Sequence, residues 1–174
     1  FDPLHSAVET AVSDQISAGI DIISDGQVRG DMIGAFASKL PGVKEQEIIG
    51  KVQPASGSIT VGDTKYARSK APKVKGIITG PTTLAHGLHI STPMYKNKEE
   101  LALDLAAALV PEVKALEAAG ITLLQIDEPI FSTGMADLDA GKHAIGLITS
   151  ALRIPTCMHV CGHLGNVLDE ILKF

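Results

Sequence analysis

A histidine and a cysteine two residues apart, His159 and Cys161, lie in a short run that begins at Pro155, and they are the residues best suited to chemistry. Alternate residues of a strand point to one side, so an imidazole and a thiol converge there, and both are preferred ligands of zinc. A metal held by this pair needs a third ligand, and often a fourth, from elsewhere. The same pair also fits a core strand whose cysteine acts as a small hydrophobe and whose histidine bonds a neighbouring carbonyl. His163 and Cys157 stand nearby. Cys157 shares the strand face two residues deeper, which predicts a buried packing role.

Asp127 and Glu128 end a run of core character from Ile121 to Ile126. A carboxylate at such a place is costly unless it meets a ligand or a partner. Strand alternation puts Gln125 and Asp127 on one side. The structural alternative has Glu128 in an ion pair at the rim and Asp127 capping the following turn. Gly80, Pro81, Thr82 and Thr83 form a strand-to-helix turn with free amides and hydroxyls, read first as a helix start. Between Asp25 and Arg29 lie an acid, the Gln27 amide and a guanidinium. Arg29 can bind a carboxylate bidentately or pair with Asp25 or Asp31. His86, His89, Met94 and Tyr95 fall in a segment that could cover a site but reads as solvated surface.

These residues need elements to position them. Short runs at Ile20 to Ser24, Glu47 to Val52, Lys75 to Thr79, Ile121 to Ile126 and Pro155 to Val160 lack strong polar alternation and end in Gly, Pro or a carboxylate. Strands buried on both faces have that character, so five parallel strands are expected. Between them, helical patterns run from Pro3 to Ala18, Asp31 to Leu40, Thr60 to Lys70, Asn97 to Gly120, Asp137 to Leu152 and Gly165 to Lys173. Pro111 inside the fourth predicts a kink or a split. Alternating βα units predict an α/β fold with a parallel sheet. The Gly-x-Gly-x-x-Gly turn of a dinucleotide-binding sheet is missing, which favours a (β/α)8 TIM barrel.

Composition narrows the partners. A net charge of -5, with basic residues spread along the chain, offers no stripe for a phosphate backbone, and nucleic acid is not an expected partner. Aromatic residues make up only 3%, too few for a stacking platform, so pocket chemistry falls to polar groups, methionine or a metal. No apolar run approaches the roughly 18 residues of a membrane span, no signal segment opens the chain, and the two cysteines form no disulfide framework. A soluble, cytoplasmic protein with reduced thiols is the expectation.

Four segments, in order, resemble the catalytic barrel of cobalamin-independent methionine synthases: Asp21 to Gln27 followed by Asp31 and Met32, Lys75 to Ala85, Leu124 to Pro129, and His159 to Cys161. The last, continuing to Gly162, also looks like the zinc segment of methylcobamide methyltransferases, relatives in the uroporphyrinogen decarboxylase superfamily. A chain with both signatures is similar to the short archaeal-type synthases, which are thought to take methyl groups from a methylated corrinoid.

The resemblance implies a zinc-dependent methyltransferase that makes methionine from homocysteine, with methylcobalamin, a corrinoid protein or a methyl-folate as donor. It implies that His159 and Cys161 bind Zn2+ and that a later Glu and Cys, beyond this chain, complete the site. Asp127 would hold the amino group of homocysteine. Gln27 falls where the long synthases place a second carboxylate for that group, and an amide there would give weaker, less pH-dependent recognition. Methyl transfer to coenzyme M, and a metal-free decarboxylase-like barrel, are the alternatives. A complete barrel takes about 250 residues. Residues 1–174 therefore read as one partial barrel domain, truncated at both ends and holding about strands two to six. On that reading the fragment alone is inactive.

Overall fold

The computed structural model describes residues 2–174. In chain order the elements are α1 (His5–Ser17), α2 (Gly34–Ala37), β1 (Val43–Lys44), β2 (Glu47–Ile48), α3 (Val61–Lys70), β3 (Lys75–Thr79), α4 (Pro81–Gly87), β4 (His89–Ile90) and α5 (Lys98–Ala118). They continue with β5 (Leu123–Asp127), a 3-10 turn (Pro129–Thr133), α6 (Leu138–Thr149), β6 (Thr156–His159) and α7 (Leu168–Ile171).

The principal sheet is parallel, in the order β3-β5-β6. Its apolar residues Ile78, Leu124 and Ile126 are almost fully buried, and they join one cluster with Leu84 of α4, Leu105, Leu109 and Leu116 of α5, and Ile148 of α6. Each such side chain withdrawn from water contributes roughly 1.5–3 kcal/mol, so this layer carries much of the folding energy. A smaller cluster joins Val8 and Val12 of α1 to Ile23, Ala67 and Val74.

Three strand positions expected from sequence form this sheet. The other two differ. Ile20 to Ser24 contributes only a parallel bridge between Ile23 and Val74. Glu47 to Val52 is not part of the principal sheet: β2 pairs antiparallel with β1 and parallel with β4. The cause is a two-residue turn at Glu45 and Gln46, where Glu45 takes a φ of +57°, the left-handed region that tight hairpins require.

Helix α5 is capped as its sequence predicts, the Asn97 side chain accepting from the Glu100 amide at 2.9 Å. It is not split at Pro111. Pro111 and Ala107, whose carbonyl loses its donor, both lie on the exposed face, where water replaces the missing bond. The helix expected from Asp31 to Leu40 shrinks to α2, because the Asp31 carboxylate accepts from the amides of Ile33 and Gly34 and holds the preceding residues in a turn. The last helical pattern shrinks similarly to α7. Among the described residues, no helix is long and apolar enough to cross a membrane.

Candidate functional site

Parallel register decides which side chains meet. Ile77 pairs with Gln125 and Thr79 with Asp127, while Gln125 pairs with Cys157 and Asp127 with His159. Paired residues in a parallel sheet share a face, so Thr79, Asp127 and His159 form a row at the carboxyl end, on the side opposite the α5 and α6 helices. Glu128 donates its amide to the His159 carbonyl at 2.9 Å, locking the ends of β5 and β6 together. Cys161 follows two residues on, and both it and His159 are exposed. Gly162 then turns the chain with a φ of +107°. A β-carbon there would lie 2.6 Å from the Ser132 hydroxyl, so only glycine fits this exit from the strand.

Asp127 is buried and accepts a hydrogen bond from the Gln125 amide at 2.7 Å. Alternation had placed these two on one side, and the contact follows from it. Gln125 in turn accepts from the Lys75 ammonium at 2.7 Å. Lys75 was not singled out from the sequence, although a lysine opening an otherwise apolar strand was a usable signal.

Glu128 makes no ion pair at the rim. It is fully buried, and its carboxylate accepts from the amides of Thr82 and Thr83, at 2.9 and 2.7 Å, and from the Thr83 hydroxyl at 2.6 Å. Burial pushes its pKa up, and these hydrogen bonds oppose the shift. The carboxylate occupies the space a side chain at position 80 would need, since a β-carbon on Gly80 would stand 2.2 Å from it. The Gly80 turn is therefore a helix start that Glu128 fastens to β5.

Gln27 lies on a neighbouring stretch of chain. With a φ of +49° it lines a cleft of about 470 Å³ together with Asp25, Arg29, Asp31, Met32 and Asp63. Asp127, His159 and Cys161 do not line that cleft. A contact between the two regions is the Thr79 hydroxyl donating to the Met32 carbonyl at 2.5 Å. Arg29 pairs with Asp2 and Asp63, not with Asp25 or Asp31. Asp25 is instead buried, accepting from the Gln27 amide at 2.9 Å, and desolvation raises its pKa.

Two further readings change. Cys157 is exposed rather than packed, because β6 has a neighbour on one side only among the described strands. Its partial burial raises the thiol pKa, Lys75 nearby opposes this and Asp127 adds to it. Tyr95 is core rather than surface: its hydroxyl accepts from the Val52 amide and donates to Asp104. Met94 and His89 are exposed, and His86 bonds the Thr82 carbonyl through its ring.

Among the described residues, no group of three or more His, Cys, Asp or Glu side chains is arranged to hold a metal ion. His159 and Cys161 nevertheless fit zinc by donor type, an imidazole nitrogen and a thiolate sulfur on alternate residues. They would supply two of its ligands.

An α/β chain with a parallel sheet, and polar residues gathered at its carboxyl end, defines the class. Within it, this chain belongs to the family of the cobalamin-independent synthase catalytic domain, which it matches over residues 2–174. It is 44% identical to a methionine synthase of Methanocaldococcus jannaschii and 42% identical to that of Methanothermobacter marburgensis. All of this chain is covered in both cases, but it spans only 58% and 60% of the two relatives' lengths. A B12-independent methionine synthase from Shewanella sp. W3-18-1, solved with selenomethionine, superposes with a TM-score of 0.80 at 30% identity, covering 97% of this chain and 55% of the other. A methyltransferase from Methanosarcina mazei shares the fold, with a TM-score of 0.65 at 15% identity over 94% of this chain and 58% of its own.

Proposed function

We propose that this chain is part of a cytoplasmic, zinc-dependent methyltransferase that converts homocysteine to methionine, built on a (β/α)8 barrel of which residues 1–174 form a section. The reading rests above all on one observation, the side-by-side register of Asp127 and His159 at the carboxyl ends of adjacent strands, with Cys161 two residues beyond. Barrel enzymes gather their reacting groups at that end. Helices α5 and α6 packing together on one side of the sheet suit a barrel wall, and the family membership supports the reaction class.

In this reading His159 and Cys161 would hold Zn2+, and the ion would supply a lowered pKa for a thiol bound to it, making the thiolate accessible at neutral pH. Asp127 accepts hydrogen bonds from the substrate ammonium and fixes the amino acid so that its sulfur faces the methyl donor. Gln27, on the neighbouring cleft, offers a neutral second acceptor. A new sulfur-carbon bond forms as the methyl-donor bond breaks, and the bonding pair leaves with the donor. Asp127 favours an amine-bearing acceptor. A sulfonate acceptor such as coenzyme M calls for a cation at that place.

The donor is the finer part of the proposal, either a methylated corrinoid or a methyl-folate, and parallel assays with methylcobalamin and a methyl-folate separate them. In such assays of the protein, Cys161→Ser and His159→Ala are expected to lower methyl transfer to homocysteine at least about 100-fold and to reduce bound zinc. Full activity in metal-free Cys161→Ser overturns the proposal.

A further inference from the structure

Between the two ends of β3 and β5 runs a line of polar side chains that no step so far has used. Lys75 opens β3 and Gln125 sits in mid β5, four and two residues below the row of Thr79 and Asp127. Strand alternation places all of them on the face opposite the helices. The Lys75 side chain climbs along this face, and its ammonium donates to the Gln125 carbonyl oxygen at 2.7 Å. The Gln125 amide nitrogen donates to Asp127 Oδ1, also at 2.7 Å. Lys75 and Gln125 are both partly buried, and Lys75 makes no ion pair among the described residues.

The polarity of this chain is fixed by chemistry. An ammonium can only donate, so Gln125 must turn its oxygen to Lys75 and its NH2 group to Asp127. Asp127 must then accept through Oδ1. Thr79, its partner across the ladder, spends its hydroxyl on the Met32 carbonyl and does not compete. The second carboxylate oxygen, Oδ2, has no protein donor among the described residues. It is left free to accept from a ligand, with the carboxylate plane held from below.

We infer that Lys75 and Gln125 are positioning residues that orient Asp127 toward the amino group of the substrate. This rests on the proposed assignment of Asp127 to the homocysteine amine and adds two residues to it. Neither touches the substrate. Their effect passes through the carboxylate, so it should fall on recognition of the amine and spare ligands that lack one.

The experiment compares equilibrium binding of homocysteine and of its des-amino analogue to the wild-type protein and to Lys75→Met, Gln125→Leu and Lys75→Arg. Lys75→Met and Gln125→Leu are expected to weaken homocysteine about tenfold while changing the analogue less than about twofold. Lys75→Arg keeps a donor at the same place and should return homocysteine binding to within about threefold of wild type. Equal weakening of both ligands overturns the inference, since a fold-wide disturbance does not distinguish an amine. Unchanged homocysteine binding in Lys75→Met, beside normal binding by the wild type, overturns the positioning role alone. A wild-type protein that binds the analogue as well as it binds homocysteine overturns the assignment of Asp127 itself, and the positioning role falls with it.

Discussion

At the scale of single residues, the carboxylates show how far side-chain chemistry can be read without coordinates. The contact of Asp127 with Gln125 is legible because strand alternation puts both on one side. Glu128 is not, because its partners are the amides of Thr82 and Thr83, and backbone donors leave no mark in a sequence. Arg29 binds a carboxylate bidentately as its chemistry allows, but which carboxylate is hidden for a different reason. Its partners Asp2 and Asp63 are distant along the chain, whereas Asp25 and Asp31 are near in sequence and turned to local amides. Asp25 yields a prediction. Burial raises its folded pKa above the unfolded value, so its contribution to stability is fully present below the ordinary carboxylate range and is lost as pH rises through the raised value. Asp25→Asn has a similar shape and does not titrate. Urea denaturation is therefore expected to show the variant gaining stability relative to wild type between about pH 4 and pH 7. An equal difference at both pH values counts against a buried, strained carboxylate.

At the scale of elements, long helices and buried strands are the legible part. Helix α5 combines an asparagine cap, two acids in the first turn and an apolar face, signals that agree with one another. Of the small β1-β2-β4 sheet only β2 is foreshadowed, inside the run Glu47 to Val52; β1 and β4 are not, because strands of two residues carry no periodicity and the turn uses Glu45 where Asn or Gly would announce a hairpin. Pro111 is the instructive error. A proline inside a helix breaks it only where the orphaned carbonyl has nowhere to go, and here that carbonyl faces water. The residue still removes one helical bond. Just beyond it, the buried Glu112 accepts from the amides of Ile59 and Thr60, which holds the helix against the loop before α3. Tertiary contacts thus keep α5 continuous despite a local preference to end. Pro111→Ala should stabilise the protein by about 1 kcal/mol, the restored helix propensity being partly offset by a more flexible unfolded chain. A lowered denaturation midpoint would mean that proline shapes the helix for its packing.

At the scale of the whole molecule, the open question is how a sheet of this kind ends. Sheet β3-β5-β6 is bounded on one flank by the single bridge from Ile23 and on the other by β6, which has no further neighbour among the described residues. An unpaired row of backbone groups is a template for another strand. The side chains of β6 do not conceal it, since Thr156, Cys157 and His159 are exposed and none carries a fixed charge. This edge ends in His159, with Cys161 two residues beyond it, so whatever pairs with β6 would lie against the proposed metal site. Residues 1–174 taken by themselves are therefore expected to self-associate through β6. Sedimentation velocity across a range of protein concentrations should show a mass that rises with concentration. A charge on the exposed strand opposes such pairing, so Thr156→Lys should shift the association to about tenfold higher concentration while leaving the helical signal unchanged. A monomer at every concentration would show that the edge is protected by its own twist or by the α7 segment.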